Sequence, residues 1–281
     1  MRHSPLALWH LLSLDAPAVA ALWAWFVARC CGIFLPLGAV AAIFLAVWIL
    51  YAADRLLDAR NAAHTTLEER HRFHHRHRRV FVPLIAIAAV VVAALTPELL
   101  PKALRLYALL GAALCGWFMA IHTRLAHERR LPKELAVGLF FAAAVFIPTV
   151  ARRPDLRLSL LAPAVLLASV CALNCMYLYA WEHPADRLNA NWTTLIATRH
   201  LTALCRAVLA AVFLCMLWLA VAHPVPGVTP WAIDAACALS LLLLLRLNRQ
   251  RARLSPLHVR AAADLALLTP LILIPFLRAQ R

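Results

Sequence analysis

Two pairs of carboxylates stand where an apolar run gives way to charge. Asp54 and Asp58 close the stretch Trp48-Ile-Leu-Tyr-Ala-Ala-Asp-Arg-Leu-Leu-Asp58, and Glu182 and Asp186 close Asn174-Cys-Met-Tyr-Leu-Tyr-Ala-Trp-Glu-His-Pro-Ala-Asp186. A spacing of four puts Asp54 and Asp58 on one face of a helix, where both can hold one cation. Without a cation the pattern is unfavourable, because like charges at i,i+4 repel and acids at a helix C-terminus oppose the macrodipole. Hard oxygen ligands of this kind suit Mg²⁺, which proteins hold through a few carboxylates plus substrate phosphates. The plainer alternative is that these acids pair with Arg55, Arg60 or Arg187 in solvated loops. Recurrence of an acidic pair at matching ends of two runs weighs against it. Pro184 breaks helical geometry between Glu182 and Asp186, yet a broken helix still lets both face one cavity.

The elements that must position these acids are set by the solvent the composition implies. Of the 281 residues, 64% are hydrophobic and 15% charged, with a mean hydropathy of +0.77. A soluble chain carries more charge on its surface. Here the apolar residues come in long runs separated by short, arginine-rich breaks, as lipid requires. A bilayer-crossing helix needs about 20 apolar residues, and such runs fall at 17–35, 38–56, 80–96, 103–122, 134–150, 158–181, 201–222, 230–247 and 261–277. Prolines 17, 36, 83, 101, 132, 154 and 230 punctuate them, as suits helix starts and loops. The expectation is an all-α integral membrane protein, a single domain over residues 1–281 with about nine transmembrane helices.

Charge sets the expected orientation. With the N-terminus inside, the inner loops hold 18 of the loop Lys and Arg residues against 7 outside, a positive-inside bias that predicts a multi-pass inner-membrane protein with its motif loops cytoplasmic. The formal charge of +15 is then read as contact with anionic headgroups of the lipid bilayer rather than with nucleic acid. Six glycines leave no phosphate-cradling GxGxxG or GxxxxGK loop. The eight cysteines lie in apolar runs without a CxxC pair, so they read as small apolar residues.

Nine spans, acidic motifs after spans two and six, and the basic segment Ile121-His-Thr-Arg-Leu-Ala-His-Glu-Arg-Arg-Leu-Pro-Lys-Glu-Leu-Ala-Val-Gly138 after span four together resemble the UbiA superfamily of intramembrane prenyltransferases. The resemblance covers nearly the whole chain. It departs from the family pattern where Leu50 and Tyr51 stand in place of Asn and Asp, and where Trp181 and Glu182 stand in place of a basic residue and Asp. The resemblance implies a UbiA-type bundle with a cytoplasm-facing cavity. It also implies Mg²⁺-dependent transfer of a prenyl group from an allylic prenyl diphosphate to a lipophilic, aromatic acceptor. Carried over by residue, Asp54 and Asp58 hold one ion and Glu182 and Asp186 the other. Arg70, Arg72, Arg124 and Lys133 are candidates to bind the diphosphate.

An ionising allylic group needs a dry pocket with aromatic faces. Tyr51, three residues before Asp54, and Tyr177 and Trp181, before Glu182, are candidate walls, although aromatic residues also mark span ends in general. Asn174 and Arg29 are polar residues inside spans, where their cost points to an interior contact.

The loop from His64 to Arg79 leaves a rival open. His71-Arg-Phe-His74-His75 matches the H-x-x-H-H box of membrane di-iron oxidases, and imidazole suits iron. Such a centre needs several boxes, and His122, His127, His183 and His200 make no second one. The alternative for this loop, including His77, is a basic amphipathic helix at the headgroups. A third class is a non-catalytic membrane carrier or a degenerate member of the family.

Overall fold

A computed structural model describes residues 5–61, 69–122, 133–182, 198–221 and 228–278. Among them all regular structure is helical: α1 (Pro5–Leu11), α2 (Asp15–Cys30), α3 (Leu37–Asn61), α4 (Glu69–Arg76), α5 (Arg78–Leu95), α6 (Pro101–His122), α7 (Lys133–Arg152), α8 (Leu161–Glu182), α9 (Leu201–Val221), α10 (Pro230–Gln250), α11 (Pro256–Leu265) and α12 (Pro270–Arg278). Helices occupy each of the nine expected segments. Among the described residues, seven stretches are long and apolar enough to cross a membrane, namely Leu37–Leu57, Arg78–Glu98, Lys133–Arg152, Leu161–Trp181, Leu201–Leu219, Pro230–Arg253 and His258–Leu277.

The first expected span departs from its reading in length. α2 has 16 residues, about 24 Å at 1.5 Å per residue, short of a hydrocarbon core of about 30 Å. It stops because Gly32 takes a left-handed φ of 68°. The Ile33 amide then donates to the Ala28 carbonyl at 2.9 Å and the Gly32 amide to Arg29 at 3.1 Å, the paired bonds of a Schellman cap. What α2 lacks in length it makes up in enclosure: 11 of its 16 residues are buried, against α3, α7, α10, α11 and α12. Its alanines admit those neighbours closely, and Trp23, Phe26 and Val27 fill the space between them with no exposed surface.

The ninth expected span is two helices. Between α11 and α12 the chain breaks around Leu267 and Thr269, ahead of Pro270. In lipid the carbonyls freed by such a break need protein partners. The Trp23 indole donates to the Leu267 carbonyl at 2.7 Å. The Thr269 hydroxyl donates to the Ala236 carbonyl at 2.8 Å and lies 2.8 Å from the Ser240 hydroxyl. Three groups from two other helices thus hold the break.

At the periphery, α5 and α9 turn Val80, Val82, Ile87, Val90, Phe213, Leu214, Leu217 and Trp218 outward, an apolar rind suited to acyl chains. Inside, α7 and α8 cross with almost no separation. A Cβ placed on Gly138 would collide with the Ala168 carbonyl oxygen and lie 2.9 Å from the Ala172 nitrogen, so only glycine fits. We expect Gly138→Val to force the two helices apart and cost about 1–3 kcal/mol, the range for overpacking. A lower thermal-unfolding midpoint in detergent, with Leu217→Val on the lipid face unchanged, is the expected result; equal midpoints would refute the crossing.

Candidate functional site

α3 carries Asp54 near the end of its apolar stretch Leu37–Leu57. Near that end Tyr51 is half-buried, Ala52 and Arg55 are buried, and Asp54 is exposed. The inward-turned charge on this stretch is therefore the guanidinium of Arg55, with the Asp54 carboxylate at the rim. The Tyr51 hydroxyl lies within electrostatic range of Cys175 on α8 and of Asp15 and Asp264. Cys175 precedes Glu182 by seven residues, two helical turns.

On α8, Asn174 is buried with no hydrogen-bond partner for its Oδ1 among the described residues. Tyr177 is fully buried and its ring centroid lies 5.3 Å from that of Trp181, whose indole donates to Asn248 Oδ1 at 2.9 Å. Arg72 on α4 and Lys133 at the start of α7 are exposed. Asp186 and Arg124, and the side chains of Asp58, Arg70, His71 and Glu182, lie outside the described residues. Arg29 is not brought to this end. It stands fourteen residues along α2 from Asp15, about 21 Å away. A groove of about 310 Å³ is lined by Leu12, Leu14, Trp48, Phe73, Val80 and Phe81 among others and is apolar.

The structure assembles a polar cluster that the sequence reading passed over. α1 ends on Ser13, whose φ of 60° is left-handed. There the Ser13 amide donates to His10 at 3.1 Å and the Leu14 amide to Trp9 at 3.2 Å. A serine in this conformation costs about 1–2 kcal/mol relative to the right-handed form. Its hydroxyl offsets that cost by accepting a short hydrogen bond from Arg55 Nη1 and meeting His74 Nε2 at 3.1 Å. Arg55 Nη1 also donates to the His10 carbonyl at 3.1 Å. The His10 ring lies with Nδ1 2.7 Å from Asp15 Oδ2 and 3.7 Å from Asp264 Oδ2. His10, Ser13, Asp15, Arg55 and His74 are all buried, and Asp264 is partly so. Five helices, α1, α2, α3, α4 and α11, thus meet through side-chain polar groups.

Electrostatics follow from that enclosure. Burial alone would push the Asp15 carboxyl up. The hydrogen bond from His10 and the charge of Arg55 overcome it and hold Asp15 well below the ordinary carboxylate range. Burial likewise opposes a charged His10, and the bonds and charges of Asp15 and Asp264 outweigh it, so the imidazole is held above its ordinary value. The available signal was a lone acid inside an apolar run: Asp264 falls within 261–277 and Asp234 within 230–247, and such residues rarely lack an interior role.

Two histidines of the loop have described contacts. His74 is fully buried against Phe81, ring centroids 4.0 Å apart. His77 is exposed and its Nδ1 lies 2.9 Å from the Phe73 carbonyl. Among the described residues, these histidines join no group of three metal-ligating side chains.

No family model, curated protein or solved structure matches the chain. Function therefore rests on the residues themselves. We expect Arg55→Met, which keeps length and removes charge, to strand Ser13, the His10 carbonyl and Asp15 and to cost about 3 kcal/mol, the scale of breaking a buried ionic contact. Thermal unfolding in detergent checks this, with Arg72→Met, exposed on α4, expected to change little.

Proposed function

We propose that this chain is a nine-span enzyme of the UbiA type, which transfers a prenyl group from an allylic prenyl diphosphate to a lipophilic aromatic acceptor. The observation that supports it most is the recurrence of a carboxylate pair where two apolar runs end, Asp54 and Asp58 in one and Glu182 and Asp186 in the other. In this reading the excess of Arg and Lys in the loops at those ends is a positive-inside signal, which would make theirs the cytoplasmic side of an inner membrane.

The donor set fits Mg²⁺. Asp54 offers only oxygen and is exposed, and Mg²⁺ keeps several of its waters when bound by one or two carboxylates. Asp54 and Asp58, with Glu182 and Asp186, would hold the ions. When bound they would neutralise charge on the departing diphosphate. Arg70, Arg72, Arg124 and Lys133 add fixed positive charge to the same leaving group, which departs with the electron pair of the allylic carbon–oxygen bond. Tyr51, Tyr177 and Trp181 supply aromatic faces to the cationic carbon, and Asn174 supplies a buried amide oxygen to the acceptor. The acceptor carbon forms the new bond and releases a proton. Arg29, at the far end of α2, takes no part in this scheme.

The decisive assay incubates purified protein with Mg²⁺, labelled geranyl, farnesyl and geranylgeranyl diphosphates and a pooled set of quinone-precursor acceptors. We expect diphosphate release coupled to a lipid-soluble product, requiring Mg²⁺ and reduced by about 100-fold or more in Asp54→Ala, the scale for losing one preorganised electrostatic contact. Turnover that survives Asp54→Ala, or no release from any donor, would refute the proposal.

A further inference from the structure

We propose that His10, Asp15 and Asp264 form a binding site for a zinc-type divalent transition metal, separate from the acidic motifs. The three residues each present one donor atom, and these atoms lie within 4.8 Å of one another. Two of the separations, 2.7 Å and 3.7 Å from His10 Nδ1, bracket the roughly 3.3 Å edge of a tetrahedral shell with bonds of about 2.0 Å. Contraction of one edge and expansion of another is what a hydrogen-bonded, metal-free triangle should show. One imidazole and two carboxylates leave a fourth position for an outside ligand, as in three-ligand zinc centres.

Arg55 lies beside the cluster and is buried, yet its described hydrogen bonds go to the His10 carbonyl and the Ser13 hydroxyl rather than to either carboxylate. Both carboxylates converge instead on a single imidazole nitrogen. Arg55 and Ser13 thereby act as an outer shell. They fix the backbone and the turn that aim His10, a role typical of groups around a metal centre. The ligands come from α1, α2 and α11, so the ion would also fasten the N-terminal helix to the bundle. Asp264 is the least enclosed of the three, with about 20% side-chain exposure. Imidazole with carboxylate oxygen is a borderline donor set and selects against Mg²⁺, whose partners are oxygen alone.

The test uses the full chain in detergent after chelator treatment, titrated with Co²⁺ as a spectroscopic stand-in for Zn²⁺. One equivalent should produce the intense visible bands of four-coordinate Co²⁺, displaced by Zn²⁺ and not by Mg²⁺. His10→Gln and Asp264→Asn should abolish the bands, Ser13→Ala should weaken binding by about 10-fold, and Asp54→Asn should leave it unchanged. X-ray absorption at the zinc edge of the loaded wild-type protein gives a readout independent of how the variants fold. A shell of one imidazole and oxygens is expected. Absence of the bands in wild type, bands that persist in both His10→Gln and Asp264→Asn, or an all-oxygen shell would each overturn the site. Prenyl transfer depends on Asp54, so failure of either idea leaves the other standing.

Discussion

A guanidinium, an imidazole and two carboxylates held beside a bilayer cannot be left to water, and in this chain they are brought together at one point. Arg55 from α3, His10 from α1, Asp15 from α2 and Asp264 from α11 share hydrogen bonds and charge, and His74 from α4 joins through Ser13. Removing any one leaves the others desolvated and unmatched, which is far costlier than losing a surface pair. The turn at Ser13 and the buried Arg55 of α3 both take part in satisfying this group. Asp54, one residue before the buried Arg55, is left exposed.

The remainder of the bundle obeys the same rule with milder means. Lipid provides no hydrogen bonds, so at the interruption between α11 and α12 Trp23 takes up the Leu267 carbonyl, and Ser240 and the Ala236 carbonyl take up the Thr269 hydroxyl. Nor does lipid drive helices together, since its tails are as apolar as leucine. Close contact must come from small residues, as at Gly138 against Ala168 and Ala172 and along the alanines of α2. The short α2 can exist in a membrane protein because its neighbours, rather than lipid, surround it.

The spans were the most legible feature. Expected limits of 38–56 and 158–181 meet apolar helical stretches at Leu37–Leu57 and Leu161–Trp181, because about 20 consecutive apolar residues are a local property of the chain. The i,i+4 spacing of Asp54 and Asp58 was equally local. The end of α2 was not, since the apolar run continues to Leu35 while a left-handed Gly32 closes the helix at Cys30. A hydrophobicity pattern has no term for that turn.

What the sequence by itself determined was composition-driven: an all-helical, lipid-embedded chain, its apolar segments, its basic breaks and the two acidic motif ends. Tertiary structure alone decided which polar residues meet. Trp23 reaches Leu267 across 244 positions, and His10 reaches Asp264 from the opposite end of the chain. Periodicity reports only which face of a helix is apolar, and that face looks the same whether it meets lipid or another helix. The partner of a buried charge depends on how helices distant in sequence are rotated and crossed, and that is set by their packing together.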